Sequence, residues 1–429
     1  MFLVTVEYTL LLDRCVYAHD SLLHISSYFG KLCQEGRWVN YYLYDGLKYI
    51  PVHLALLLSW VCFSVFAYKV GRSFLDVRFS LLLAMFCLLV PQTHALADWP
   101  LTLLTMYVVA AIAACTADSM PRPLFFLIYG ILFSGCVSNL YFCLPLLFLR
   151  DDLKGILKTL LYWVMGYVVG HCFAQGVVYF HTDHFIQLGD WRKPNYVTDM
   201  SSLWNNVCVA ATNFKNSMRE LPSSLLMLTG GCCVWYMWDK RTKWKTESFV
   251  LLLFVMVMVS LHAHSLPAGI TVSSRSLHCL TVSMLVLLIY TLREHKVLVM
   301  IAVVFFSWSL YEKNVKGIKY VNDKRLTLRD QFAQLGYTPH NVDKVLMLSK
   351  TGDFNKAARA KKMVPQTPVQ WQEVPYSVGF KRWQVLVYDT AITACLKERD
   401  IDVTQVKFAQ KAGYEYACVN GVLLLKIIP

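Results

Sequence analysis

The sequence predicts an α-helical polytopic membrane protein of about eleven spans, followed by a small C-terminal α/β domain. Three observations predict it. The chain is 56% hydrophobic and only 16% charged, where a soluble domain carries roughly 25% charged residues. Its apolar residues come in blocks of about 16–24, the length that crosses a bilayer. After residue 312 the blocks stop and charge returns.

The apolar blocks lie near 1–17, 51–69, 79–95, 99–117, 123–137, 139–149, 156–180, 222–238, 248–264, 276–292 and 296–312. The first is short and contains Glu7 and Asp13. It lacks a basic leading region and a small-residue cleavage site, so it is read as a retained span and not a signal peptide. The stretch 123–149 is long for one span and short for two, and Gly135, Ser138 and Asn139 mark its reversal. Residues 1–312 form the transmembrane domain on this reading, with long loops at 18–50 and 181–221.

Net charge is +13, but much of the basic charge sits in short loops between apolar blocks, where it sets orientation and does not mark a nucleic-acid partner. One set of loops holds Lys69, Arg72 and Arg78; Arg122; Arg150, Lys154 and Lys158; Lys240, Arg241, Lys243 and Lys245; and Arg293 and Lys296. The alternate short connections are nearly free of basic residues, with Arg275 in 265–275 the exception. The positive-inside rule makes the first set cytoplasmic. It turns 18–50, 181–221, 265–275 and everything after 312 outward, into the periplasm if the membrane is a bacterial inner membrane.

The tail, 313–429, mixes a helical pattern at 322–335 with β-like runs at 344–348, 384–388 and 415–427. Pro365, Pro368 and Pro375 punctuate a loop between them. Of fourteen cysteines most lie inside apolar blocks, where cysteine behaves as a small hydrophobe. Cys395 and Cys418 are able to pair if the tail meets an oxidising compartment. Asp400-Ile401-Asp402 mimics the D-x-D of nucleotide-sugar enzymes but reads as a solvated helix end. No G-x-G-x-x-G or Walker loop occurs.

The segment after the first block carries the most chemistry. Taken as a helix from Ser21, it lines Asp20, His24, Ser27, Lys31 and Glu35 along one side and Leu22, Ile25, Phe29 and Leu32 along the other, as in a helix lying at a bilayer surface. Asp20 at its start suits an N-cap as well as a catalytic acid. His181, Asp183 and His184 have metal-ligand chemistry without an evident fourth ligand. No resident cofactor is assigned, and a divalent metal is left open. Asp98-Trp99 lies in a very short outer turn, where Trp99 suits an interfacial anchor. The loop 185–221 is rich in aromatic and amide side chains, which suit sugars and also ordinary surface loops.

An acidic residue just outside the first span, a surface helix, then Glu35-Gly36-Arg37-Trp38 before the second span resembles the phage-type serotype-conversion glucosyltransferases. These are multi-span GT-C enzymes that decorate bacterial O-antigen. Pro91 through Ala97-Asp98-Trp99-Pro100, Ser138-Asn139-Leu140-Tyr141 at a tight reversal, and Ser273-Ser274-Arg275-Ser276 opening a late span are similar too. The resemblance covers roughly residues 15–295. Where family members often carry two adjacent acids, this chain has His19-Asp20.

The resemblance implies transfer of a sugar, glucose in that family, from a polyprenyl-phosphate carrier in the membrane to a lipid-linked glycan or O-antigen. A membrane-borne donor needs no nucleotide-binding fold. Inverting transfer needs a carboxylate to take the acceptor's proton and cations to hold the departing phosphate. Asp20 is the expected base, and Arg37 and Arg275 the expected phosphate-side cations. His24, Glu35, Asp98 and Trp99 complete the expected substrate-binding set. Arg275 also suits an interfacial arginine that merely reaches the headgroups. A polysaccharide polymerase and a non-enzymatic lipid or polysaccharide flippase are the competing readings.

Overall fold

The computed structural model describes residues 1–15, 28–47, 49–96, 99–187, 194–241, 244–260, 262, 265–272, 274–348, 375, 380, 384–386, 389–411 and 414–427. The chain divides into two compact units, Met1–Glu312 and Lys313–Pro429. The first is helical. Its elements are α1 (Phe2–Cys15), α2 (Phe29–Glu35), α3 (Trp38–Leu47), α4 (Val52–Arg72), α5 (Val77–Leu88), α6 (Pro91–Leu96), α7 (Pro100–Thr116), α8 (Arg122–Ser134), a 3-10 helix (Ser138–Phe148), α9 (Leu153–Thr182), α10 (Met200–Met218), α11 (Ser223–Asp239), α12 (Trp244–Ser260), α13 (Ser265–Ala268), a 3-10 turn (Ser274–Leu277), α14 (His278–Leu292) and the first part of α15 (Lys296–Ala333), whose residues from Lys313 on belong to the second unit.

Among the described residues, four stretches are long and apolar enough to cross a membrane: Val52–Arg72, Leu153–Thr182, Glu247–Ala268 and Lys296–Lys319. The remaining apolar helices are shorter, among them α1, α5, α7, α8 and α14. Apolar side chains recur at helical spacing on exposed faces: Leu57, Leu58 and Val61 on α4; Leu161, Val164 and Val168 on α9; and Ile301, Val304 and Phe305 on α15. Water-soluble proteins rarely expose such continuous surfaces, and hydrocarbon is the solvent that suits them.

Several boundaries depart from the sequence reading. The block expected at 79–95 ends at Leu88, and Pro91 starts a separate short helix. The expected span 139–149 is an eleven-residue 3-10 helix, Ser138–Phe148. At about 2.0 Å per residue it reaches further than an α-helix of equal length, which is how so short a stretch follows α8. The stretch 185–221, expected as a loop, contains the amphipathic α10, begun by a capping box in which Asp199 accepts from Ser202 N. The block at 296–312 continues unbroken to Ala333, absorbing the helical pattern expected at 322–335.

One helix pair is packed through glycine. A Cβ on Gly130 of α8 would fall inside the Gly166 carbonyl of α9; one on Gly166 would meet Phe126 O, and one on Gly170 the Gly130 carbonyl. Gly166-Tyr167-Val168-Val169-Gly170 is a G-x-x-x-G, which lets two backbones touch where lipid offers no hydrophobic drive for association. Tyr141 OH donates to Trp163 O (2.6 Å) and Trp163 Nε1 to Tyr141 O (3.3 Å), fastening the 3-10 helix to the same pair.

Contacts sort the loops into two sets. Ser73 Oγ donates to Leu146 O (3.2 Å), Arg122 Nη2 pairs with Asp151 (2.6 Å), Lys296 Nζ with Asp76 (3.0 Å), Lys240 Nζ with Glu294 (2.5 Å) and Arg293 with Glu247 (3.5 Å). These join the loops grouped as basic. At the other ends of the same helices, Val39 N donates to Gly135 O (2.9 Å), Asn40 Nδ2 to Thr102 O (2.8 Å), Gln187 N to Cys33 O (3.3 Å) and Asn206 Nδ2 to Leu266 O (2.9 Å).

The second unit holds a five-stranded sheet in the order β2-β1-β5-β4-β3. Its elements are β1 (Lys344–Met347), β2 (Val385–Leu386), α16 (Asp389–Glu398), β3 (Ala409–Lys411), β4 (Tyr414–Val419) and β5 (Val422–Ile427). β1 is parallel to β2 and β5, whereas β4 is antiparallel to β3 and β5. The expected run at 415–427 is a hairpin, with Asn420 (φ 50) and Gly421 (φ 75) supplying the two left-handed residues of its turn. Both faces are covered: Val345, Met347, Leu423 and Leu425 pack with Leu328 and Phe332, and Leu346, Val422 and Leu424 with Ile392 and Cys395. Cys395 is buried and Cys418 exposed, and both are free thiols, so they do not pair. Asp402 accepts from Thr404 N and Oγ1, a local turn that accounts for the D-x-D lookalike.

Gly166→Val should force α8 from α9 and lower the stability of the helical unit by about 1–3 kcal/mol, read as a lower unfolding temperature in detergent. Gly176→Ala, on the same helix with open space around its Cβ position, should leave that temperature unchanged or raise it slightly.

Candidate active site

The loops with few basic residues meet at one end of the helical unit. α2 ends at Gly36, whose φ of 68° makes a left-handed cap with Gly36 N donating to Leu32 O. An L side chain there would be strained and would place its Cβ 2.6 Å from Ile186 Cδ1. Glycine therefore turns the chain sharply from α2 into α3. The turn leaves Glu35 between two cations: Lys31 Nζ lies 2.8 Å from Oε1, and Arg37 Nη2 pairs with Oε2. The Glu35 side chain is only 9% exposed, so the two cations compensate a largely desolvated carboxylate.

Aromatic rings surround this corner. Trp38 packs edge-on to Phe173 at 5.4 Å between centroids and lies against Gly135. Tyr41 and Tyr42 flank the His181 ring. Tyr42 OH bonds His181 Nε2 at 3.0 Å, and His181 Nδ1 lies 2.9 Å from Val177 O. Both ring nitrogens of His181 are thus engaged, and Asp183 is the left-handed cap of α9 (φ 56). Among the described residues no three His, Cys, Asp or Glu side chains converge as a metal would require. Trp38 Nε1 is buried with no acceptor among the described residues.

A buried network ties the corner to α7. Tyr28 OH donates to Thr102 Oγ1 (3.1 Å), Asn40 Nδ2 to Tyr28 OH (3.3 Å), and Thr105 Oγ1 to Asn40 Oδ1 (2.5 Å). α7 begins directly after Trp99, its half-buried N-cap residue. Beyond α7 lies a second polar group. Gln92 Nε2 donates to the buried Glu220 Oε2 at 2.6 Å, and Thr93 Oγ1 bonds His278 Nε2 at 3.0 Å, with Phe63 against the imidazole. The Ser274–Leu277 turn packs on α6 here.

Of the residues expected at the site, Glu35 and Arg37 are joined directly, and Trp99 caps the helix that Asn40 holds. Asp20, His24 and Asp98 lie outside the described residues, as does the side chain of Arg275, whose backbone sits in the 3-10 turn. The first part of the surface helix expected from Ser21, residues 21–27, lies outside the described residues; the described helix begins at Phe29, with Tyr28 as its N-cap. Lys31 and Glu35 keep their i, i+4 relation within it.

Sequence reading missed Glu220, Gln92, Thr93 and His278. Two signals were present: a carboxylate directly before Leu221-Pro222 at the foot of an apolar block, and a lone histidine inside another. An ionisable residue at membrane depth is costly enough to imply a role.

Compared with family models, curated proteins and solved structures, the chain matches none.

Glu220→Gln tests the second group, because the amide keeps the shape and removes the charge. Its amide oxygen can still accept from Gln92 Nε2, so the variant should fold at normal abundance. Glu220→Ala should lower the unfolding temperature, by the cost of leaving Gln92 without its acceptor.

Proposed function

We propose that the protein is a membrane glycosyltransferase. It moves a sugar, glucose by resemblance, from a polyprenyl-phosphate carrier to O-antigen or a related lipid-linked glycan at the periplasmic face of a bacterial inner membrane. The observation that carries this reading is the corner at Glu35-Gly36-Arg37-Trp38. There a carboxylate, two cations and a ring of aromatic side chains meet at a helix-bundle end rimmed by lipid-facing surface.

Each part has a chemical use. A guanidinium presents a planar fork to a phosphate, and Arg37 is the phosphate-side cation of this proposal, with Arg275 its counterpart on the late span. Aromatic faces and an unsatisfied indole N–H suit a sugar ring and its hydroxyls. Asp20 is the general base, on the segment that leads into α2, where a lipid-borne donor and a periplasmic acceptor meet at headgroup level. His24, Asp98 and Trp99 line the substrates, and Glu35 orients Arg37. The eleven-span GT-C-like architecture and the outward tail belong to the same proposal. A flippase places charges along a path through its spans; the apolar outer faces and the polar groups gathered at helix ends favour an enzyme.

Expression in a host of defined O-antigen, followed by glycan mass analysis, tests the reading. One added hexose per repeat supports it, whereas altered chain length with unchanged repeat mass favours a polymerase. A phosphatase fused to the C-terminus should be active and a cytoplasm-dependent fluorescent fusion dark; the reverse pattern would overturn the outward tail.

Asp20→Asn keeps a helix cap and should leave abundance normal while transfer falls by about 10²–10⁴-fold. Arg37→Lys should also fold yet lose most transfer, since it keeps charge and loses the fork. Near-normal glycan modification by either variant removes that residue from the mechanism.

A further inference from the structure

The opposite end of the helical unit, where the basic loops meet, holds a cavity of about 480 Å³ that the proposed sugar transfer does not use. It is a half-open space lined by the last turns of α4 and α7, the start of α8, the end of the 3-10 helix and the loop before α9. Lys69, Arg72, Arg122 and Arg150 line it, with Asp118 and Asp151. Four cations against two carboxylates leave the lining positive.

The cations are not equally committed. Arg122 is held in place: its Nη2 pairs with Asp151 Oδ1 at 2.6 Å and its Nη1 donates to Gly155 O at 3.2 Å. Arg72 donates one nitrogen to Leu75 O at 3.1 Å, which leaves donors over. Lys69 and Arg150 form no ion pair among the described residues. The Asp151 Oδ2 atom is buried with no hydrogen-bond partner among the described residues, and burial pushes the Asp151 carboxyl upward against the pull of Arg122. Loop cations that merely set orientation need no shared space. Here cations from three separate loops face one space at membrane-surface level.

We propose that this cavity is a binding site for a phosphate ester, with Lys69, Arg72 and Arg150 on the phosphate and Asp118 and Asp151 accepting from hydroxyls beside it. Basic pockets between membrane helices hold phospholipid headgroups in this way. A glycerol-bearing anionic headgroup supplies both the charge and the hydroxyls. A soluble phosphate ester offers the same groups without an acyl chain.

Native mass spectrometry of the full chain in detergent distinguishes these sources. Phosphatidylglycerol, phosphatidylcholine and glycerol 1-phosphate are each titrated. Retention of phosphatidylglycerol on the order of tenfold above phosphatidylcholine, with no effect of glycerol 1-phosphate, assigns the site to lipid. Equal retention of glycerol 1-phosphate assigns it to soluble esters. Lys69→Gln/Arg150→Gln should abolish the preference in either case. Arg78→Gln/Lys154→Gln removes the same charge from exposed positions outside the cavity and should leave the preference intact. The proposal is overturned if the parent protein shows no preference among the three, a result that needs no variant to fold. It is overturned equally if the two double variants behave alike.

Discussion

The contact of α8 with α9 through Gly130, Gly166 and Gly170 sets the geometry on which both ends of the helical unit depend. In hydrocarbon two helices gain little from burying apolar side chains against each other, so association rests on close packing. Glycine on both sides brings the backbones together where any Cβ would collide with a carbonyl. With this pair fixed, Gly135 at the end of α8 offers its carbonyl to Val39 N and its open face to the Trp38 ring. At the other end Arg122 reaches Asp151 and Gly155 at the start of α9. One packed seam thus seats the aromatic corner at one face and a wall of the basic cavity at the other.

The chain places its polar groups where helices end, and supports them by different means at the two faces. At the basic face, ion pairs join loop to loop, as in Lys296–Asp76, Lys240–Glu294 and Arg293–Glu247. Arg293 also lies over the Tyr290 ring at 3.9 Å, while Tyr236 and Tyr290 donate to Glu247. At the other face neutral hydrogen bonds predominate: Asn40 with Tyr28, Thr102 and Thr105; Thr93 with His278; and Asn206 with Asn195 and Leu266. Amide and hydroxyl groups there hold loops in register without a fixed charge.

The candidate site was partly legible. Glu35-Gly36-Arg37-Trp38 drew notice through its resemblance to a glucosyltransferase family, and the meeting of Glu35 with Arg37 is local, fixed by one left-handed glycine. Glu220 and His278 were not legible as partners of Gln92 and Thr93. The pairs are separated by more than a hundred residues, 128 and 185, and their juxtaposition follows from helix packing, which no residue pattern specifies. The long 3-10 helix, Ser138–Phe148, was hidden because its apolar composition fits any helix.

The sequence by itself determined a helical unit of apolar blocks, the alternation of basic and base-poor loops, and the strands of the tail. These follow from composition, periodicity and turn chemistry, which act over a few residues. The Asn420-Gly421 turn, the Asp199 capping box and the Gly36 reversal belong to that class. Only the tertiary structure decided which loops share a face, which carboxylates are desolvated, and that cations from Lys69 to Arg150 line one space. Those outcomes depend on helix-to-helix packing over the whole unit, where a collision between a Cβ and a carbonyl sets how closely α8 and α9 approach.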